Sequence, residues 1–109
     1  MSEFAFLFHG RPASGPPQEL QAQIPKWMTW MKDLGARGHM KSPGQALEPT
    51  GQIVKDRKKS SSDVSTDNNL VGGVMFIQAP DLQHAIEIST GCPVFDSGGF
   101  VEVRPVLKL

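Results

Sequence analysis

The chain has 109 residues, 39% hydrophobic and 20% charged, which is one small domain because a second hydrophobic core would need at least another ~50 residues. That apolar content can fill a core, and the charge is too low for a disordered tail protein. Eleven Lys and Arg balance eleven Asp and Glu, so the broad positive field behind most nucleic-acid affinity is missing and no nucleic-acid partner is expected.

Phe4-Ala5-Phe6-Leu7-Phe8 lies between Glu3 and the breaker Gly10, is too short for a helix and is rich in strand formers, so it predicts a first strand. Phe4, Phe6 and Phe8 share one face and Ala5 and Leu7 the other. A strand apolar on both faces is covered on both sides. Gly10 to Pro17, with three Pro and two Gly, reads as a loop leading to a helix. From Gln18 onward Leu20, Ile24, Trp27, Met31 and Leu34 step by four, three, four and three, which is a helical stripe. Gly35 and Gly38 end it, and Arg37 suits the carbonyl end. Pro25 removes a hydrogen bond inside that helix at a cost of ~3 kcal/mol, which predicts a kink or a restart with Pro25 in a first turn.

His39 to Leu47 is assigned to a weak strand, Glu48-Pro49-Thr50-Gly51 to a turn, and Gln52 to Lys55 to a third strand. Asp56 to Asp63 has no apolar residue and reads as a mobile hairpin loop. Leu70 to Ile77 is a second strongly apolar run, whose Gly72-Gly73 pair suits a strand with a bulge or a close backbone approach. Asp81 is placed as the N-cap of a second helix with Leu82, Ala85, Ile86 and Ser89 on its inner face, stopped by Gly91 and Pro93. Phe100 to Val106 alternates as a half-buried strand, and its Pro105 belongs at a sheet edge or strand end.

The order β-α-β-β-α-β predicts an α+β, ferredoxin-like βαββαβ sandwich with both helices on one face of an antiparallel sheet. The other face would leave the apolar second sides of the first and fourth strands bare, more than a soluble monomer usually tolerates. A two-fold homodimer with the sheets face to face resolves this.

Val71-Gly72-Gly73-Val74-Met75-Phe76-Ile77 with Ala79-Pro80-Asp81-Leu82 and Ala85-Ile86-Glu87, then Cys92-Pro93, then Val101-Glu102-Val103-Arg104-Pro105-Val106, form an ordered set. Together with Leu34-Gly35-Ala36-Arg37-Gly38 and Leu47 to Val54, the set resembles the YCII-related family, including its DGPF branch, over nearly the whole chain. The resemblance implies a dimeric α+β barrel. It also implies that most members have no established activity. Members proposed as enzymes are similar to muconolactone isomerase-like and dehydrochlorinase-like proteins, and carry a first-helix His with an Asp partner as an acid/base dyad. The matching position here is Trp27, and no His lies between Gln18 and Leu34, so that dyad is not carried over. Thr66-Asp67-Asn68-Asn69-Leu70 does not keep the DGPF motif. Some relatives occur beside or fused to sigma factors.

The residues themselves leave several readings open. His9, at a strand end before Gly10, either closes the strand as a polar residue or serves as acid or base. His39 reads as a cap or loop residue and His84 as a surface residue. With no paired Cys or His at ligand spacing, no metal and no cofactor are expected. Cys92 between Gly91 and Pro93 reads as a buried small hydrophobe, and a single Cys fits a reducing cytoplasm. No apolar run reaches the ~20 residues of a membrane span and the start lacks a basic flank, so neither a membrane partner nor secretion is expected. Trp27 and Trp30, with Met28 and Met31, are either core and dimer packing or the wall of an apolar ligand pocket. Glu102 and Arg104 make a surface or interface ion pair, unless their face turns into a cleft where Arg104 anchors an anion. The expected ligand pocket, near the end of the first strand and the first helix, is lined by His9, Trp27, Trp30, Met31 and Arg104; no catalytic residue is assigned. The competing expectation is a non-catalytic regulatory or protein-interaction module that uses the Asp56 to Asp63 loop.

Overall fold

The computed structural model of the protein describes residues 1–10, 17–58, 61–63 and 70–109, with the side chains of residues 17–20 and 61 outside that description. The order is β1 (Ser2–His9), α1 (Pro17–Ala36), β2 (Met40–Ala46), β3 (Gln52–Val54), β4 (Ser61–Asp63), β5 (Val71–Ala79), α2 (Leu82–Ser89), a 3₁₀ turn (Pro93–Ser97) and β6 (Phe100–Pro105). Four strands make an antiparallel sheet in the order β2-β5-β1-β6, and β3 with β4 forms a separate hairpin. This is the ferredoxin-like α+β arrangement with a hairpin inserted between its second and third core strands.

Alternation in the central strands sets the two faces. Phe4, Phe6 and Phe8 of β1 and Met75, Ile77 and Ala79 of β5 are buried, and with Trp30, Leu34, Ala85, Ile88, Cys92 and Val94 they form the core. The opposite face carries Ala5 and Leu7 beside Phe76 and Val74, flanked by Arg104 and Glu102 of β6. In the single chain that face is only partly covered, and Phe76 is 38% exposed.

Several details differ from the expectations above. α1 runs through Pro25 without a restart. The carbonyl that Pro25 cannot serve belongs to Gln21, an exposed position where water can replace the lost donor. Only Leu34 of the expected stripe is fully buried, Trp30 joins it, and Ile24 is 49% exposed. Leu20 lies outside the described side chains. On α2 Ile88 replaces Leu82 and Ile86 on the buried side, because Ala85, Ile88 and Ser89 form one row at i, i+3 and i+4. Asp81 caps α2 as expected, accepting from the backbone N–H of His84 at 2.9 Å. Within Asp56 to Asp63, the stretch Ser61–Asp63 is strand β4, since backbone pairing to β3 needs no apolar side chain.

Gly44 fixes how β2 joins the sheet. Its φ of +64° is left-handed, and a Cβ there would stand 1.8 Å from the carbonyl oxygen of Val74. Only glycine allows this approach, and the β2–β5 register shifts between Ser42 and Gln45 around it.

Candidate functional site

The apolar side of α1 does not close against the sheet along its whole length. Ile24 and Met28, and next to them Trp27 and Met31, are i, i+4 pairs that form two rows on one side of the helix. They face a cavity of about 380 Å³ whose other walls come from the end of β1, from Pro43–Ala46 of β2, from Gly72–Met75 of β5, and from Val94 and Ser97 of the 3₁₀ turn. Phe8 and Trp27 meet edge to face at 5.0 Å, which fixes one wall. Gln23, Gln45 and Ser97 are polar side chains among the walls. The arrangement suits an apolar body oriented by a few hydrogen bonds.

Of the five residues expected to line a pocket, His9, Trp27 and Met31 border this cavity. Trp30 instead stacks on Phe6 at 6.3 Å and 13°, is 8% exposed, and lines a groove beside Cys92 and Phe95. Arg104 lies on the open sheet face, paired with Glu102 at 3.1 Å, and does not border the cavity. The physical reason is strand parity: Arg104 sits opposite Ala5, on the side that Phe4, Phe6 and Phe8 leave.

His9 has a specific environment. The unbroken β1–β6 register places it opposite Phe100, and the two rings stack at 4.6 Å and 5°, while the β1–β5 register shifts after Phe8. Its Nε2–H donates to Glu102 Oε1 at 2.9 Å, and Arg104 donates to the other oxygen of that carboxylate. The His9 hydrogen bond, then the Arg104 one, hold the Glu102 carboxyl below its ordinary range. The ring is thus engaged with β6, and its orientation is set by a carboxylate.

The other ionisable candidates have structural partners. His39 Nδ1–H donates to the carbonyl of Gln78 at 3.0 Å, tying the helix exit to β5. His84 Nδ1–H donates to Asp81 Oδ1 at 2.8 Å, which raises the His84 pKa, while Asp81 is lowered mainly by the backbone N–H it caps. Cys92 is buried, and burial pushes its thiol up to about 12. Among the described residues no cluster of three His, Cys, Asp or Glu is placed to hold a metal ion. No described helix is long and apolar enough to cross a membrane.

Sequence reasoning missed Phe8, Ile24 and Val94 as cavity walls, and named Met28 only beside the two Trp residues as one alternative to core packing. The i, i+4 spacing of Ile24 and Met28 was a usable signal. The β2 and 3₁₀ contributions were not, because they come from a weakly patterned strand and a turn whose position depends on the fold.

A ferredoxin-like α+β domain with a cavity between its first helix and its sheet is thus the class this chain defines. The model of the YCII-related domain matches residues 2–109, and the chain belongs to that family. No curated protein matches the chain significantly.

Proposed function

We propose that this YCII-related protein is a cytoplasmic binder of a small organic molecule, held in the cavity between α1 and the sheet. The observation that carries the reading is the state of α1: Ile24 is 49% and Met28 65% exposed, and both border an apolar hollow next to Trp27 and Met31. Apolar side chains kept at a cavity mouth lose water contact when an apolar ligand enters, at roughly 25 cal/mol per Å². His9, Trp27 and Met31 are the pocket residues retained from the sequence reading, Trp30 supports Trp27 from the core, and Arg104 is assigned to the open sheet face. We further propose that this face pairs with a second copy, since Ala5, Leu7, Val74 and Phe76 give it a continuous apolar centre.

The test is a thermal-shift screen with aromatic acids, lactones and chlorinated phenols, because a ligand at 100 times its Kd stabilises by ~2.7 kcal/mol. A hit whose shift disappears in Met31→Glu, with the free variant still folded, supports the cavity. Absence of any hit across the three classes rejects it. Light scattering tests the pairing, and a folded monomer at micromolar concentration rejects that part.

A second reading has its own observation. Ile53 and Val54 of β3 are 39% and 67% exposed, and residues 55–58 continue that exposure with Lys55, Arg57 and Lys58. An exposed hairpin of this composition suits a protein-docking module. Partner co-purification that is lost on replacing residues 57–62 by Gly-Asn, yet unaffected by Trp27→Ala, favours the hairpin over the cavity.

A further inference from the structure

On the side of α1 away from the cavity, a groove of about 750 Å³ runs between the helix and the segment from Thr90 to Asp96. Its floor holds an unusual donor. Trp30 is 8% exposed and its ring is locked against Phe6, Phe8 and Trp27, but its Nε1–H has no hydrogen-bond partner among the described residues. No described side-chain nitrogen or oxygen is both sealed from solvent and unpartnered, so this nitrogen opens into the groove. A ring locked in place with one accessible donor facing the groove is a preorganised recognition point, because a ligand acceptor meets it without the cost of ordering the side chain.

Gly91 keeps that donor open. Its backbone is not left-handed, so conformation does not demand glycine, but a Cβ would stand 3.2 Å from Trp30 Nε1. The hydroxyl donors and the Gly91 and Cys92 N–H groups of the groove are spent. Thr29 Oγ1–H donates to the Pro25 carbonyl, Thr90 Oγ1–H to that of Glu87, and the Gly91 and Cys92 N–H groups to Ile88 and Ser89. The charges lining the groove are Lys26 and Asp96, paired at 3.4 Å, and Asp33, which pairs with Arg37 at 3.2 Å, so the groove offers a carboxylate no unpaired cation. Pro25, Pro93 and the 48% exposed Phe95 supply apolar walls.

We infer that the groove binds a neutral amide with an apolar side chain, its carbonyl oxygen accepting from Trp30 Nε1–H. A carboxylate offers the same acceptor but would lose hydration with no unpaired cation to receive it, since Lys26 and Arg37 are engaged by Asp96 and Asp33. This site is separate from the α1–sheet cavity and stands or falls independently of it.

The chain has two Trp residues, so an ¹⁵N spectrum shows two indole N–H signals, assigned by Trp27→Phe. Titration with N-acetyl-leucinamide should move the Trp30 signal downfield and saturably and leave that of Trp27 in place. N-acetyl-leucine, the matched acid, should bind more weakly. Gly91→Ala should abolish the movement, with its backbone spectrum reporting the fold. If that variant does not fold, Phe95→Ala replaces it and should weaken binding about tenfold, a loss of ~1.4 kcal/mol. A Trp30 signal that does not saturate, an unchanged response in the folded Gly91→Ala variant or in Phe95→Ala, or tighter binding of the acid overturns the inference.

Discussion

His9 and Glu102 face each other across the β1–β6 pair, with Nε2 2.9 Å from Oε1 and the histidine ring stacked on Phe100. They are ninety-three residues apart in the chain, so the contact exists only when the first and last strands are paired. It therefore reports on closure of the sheet as well as on the state of a histidine.

The first prediction follows from the Glu102 carboxyl, which His9 and then Arg104 hold below its ordinary value of 4.5. In the unfolded chain the carboxyl binds a proton at higher pH than it does in the native state. Its stabilising contribution is therefore complete above about 4.5 and is lost as pH falls through the lowered native value. Urea midpoints of the wild type and Glu102→Gln should differ at neutral pH, the variant being less stable, and converge as the medium becomes acidic. Midpoints that stay parallel down the acid limb would sink the assignment.

A second prediction concerns Gly44. Alanine there incurs a left-handed penalty of ~1–2 kcal/mol and collides with the Val74 carbonyl, so the total cost should exceed ~3 kcal/mol. Hydrogen exchange should show β2 amides losing protection before those of β1. Gly35, with nothing near its missing Cβ and no left-handed φ, is the control: Gly35→Ala should be neutral or stabilising.

How much of this was legible in the sequence depends on where the information lies. The buried faces of β1 and β5 were readable because a period of two and the Phe4, Phe6, Phe8 row are local. The Asp81 cap was readable because its acceptor sits three residues from its donor. The rotation of α1 was not, since Leu34 is fully buried and Ile24 half exposed although both lie on the same stripe. Which part of a stripe is covered depends on how far the helix tilts from the sheet, and that is a tertiary property. Arg104 shows the same limit in a strand. Its face was readable, but that this face lies opposite the cavity required the β1–β6 register.

A third prediction exploits that uneven covering. Leu34→Ala removes a side chain that is 1% exposed at the foot of α1 and should cost ~2–5 kcal/mol. Met28→Ala, at a position 65% exposed, should change stability by less than ~0.5 kcal/mol yet weaken any cavity ligand that Met28 covers. Chemical denaturation and ligand titration on the same two variants separate the roles, and equal stability losses would mean that Met28 is as closely packed as Leu34.

The last prediction concerns Cys92, which is 4% exposed, with the Val94 N–H donating to its sulfur at 3.4 Å. Burial outweighs that hydrogen bond and pushes the thiol from 9.0 up to about 12. At pH 8 a thiol with that value is ionised to only about one part in 10⁴, and the thiolate is the reactive form. Ellman's reagent should therefore label native protein slowly, at a rate set by opening of the segment between α2 and β6, and label denatured protein at once. The sign of the linked stability is opposite to that of Glu102. The native state holds its proton to higher pH than the unfolded chain does, so stability declines as pH rises above about 9.0 toward 12. Cys92→Ala should remove that alkaline decline at the cost of a small core void. Rapid labelling of the native protein at pH 8 would show instead that the thiol is reachable, and that the wall between the Trp30 groove and the core is open.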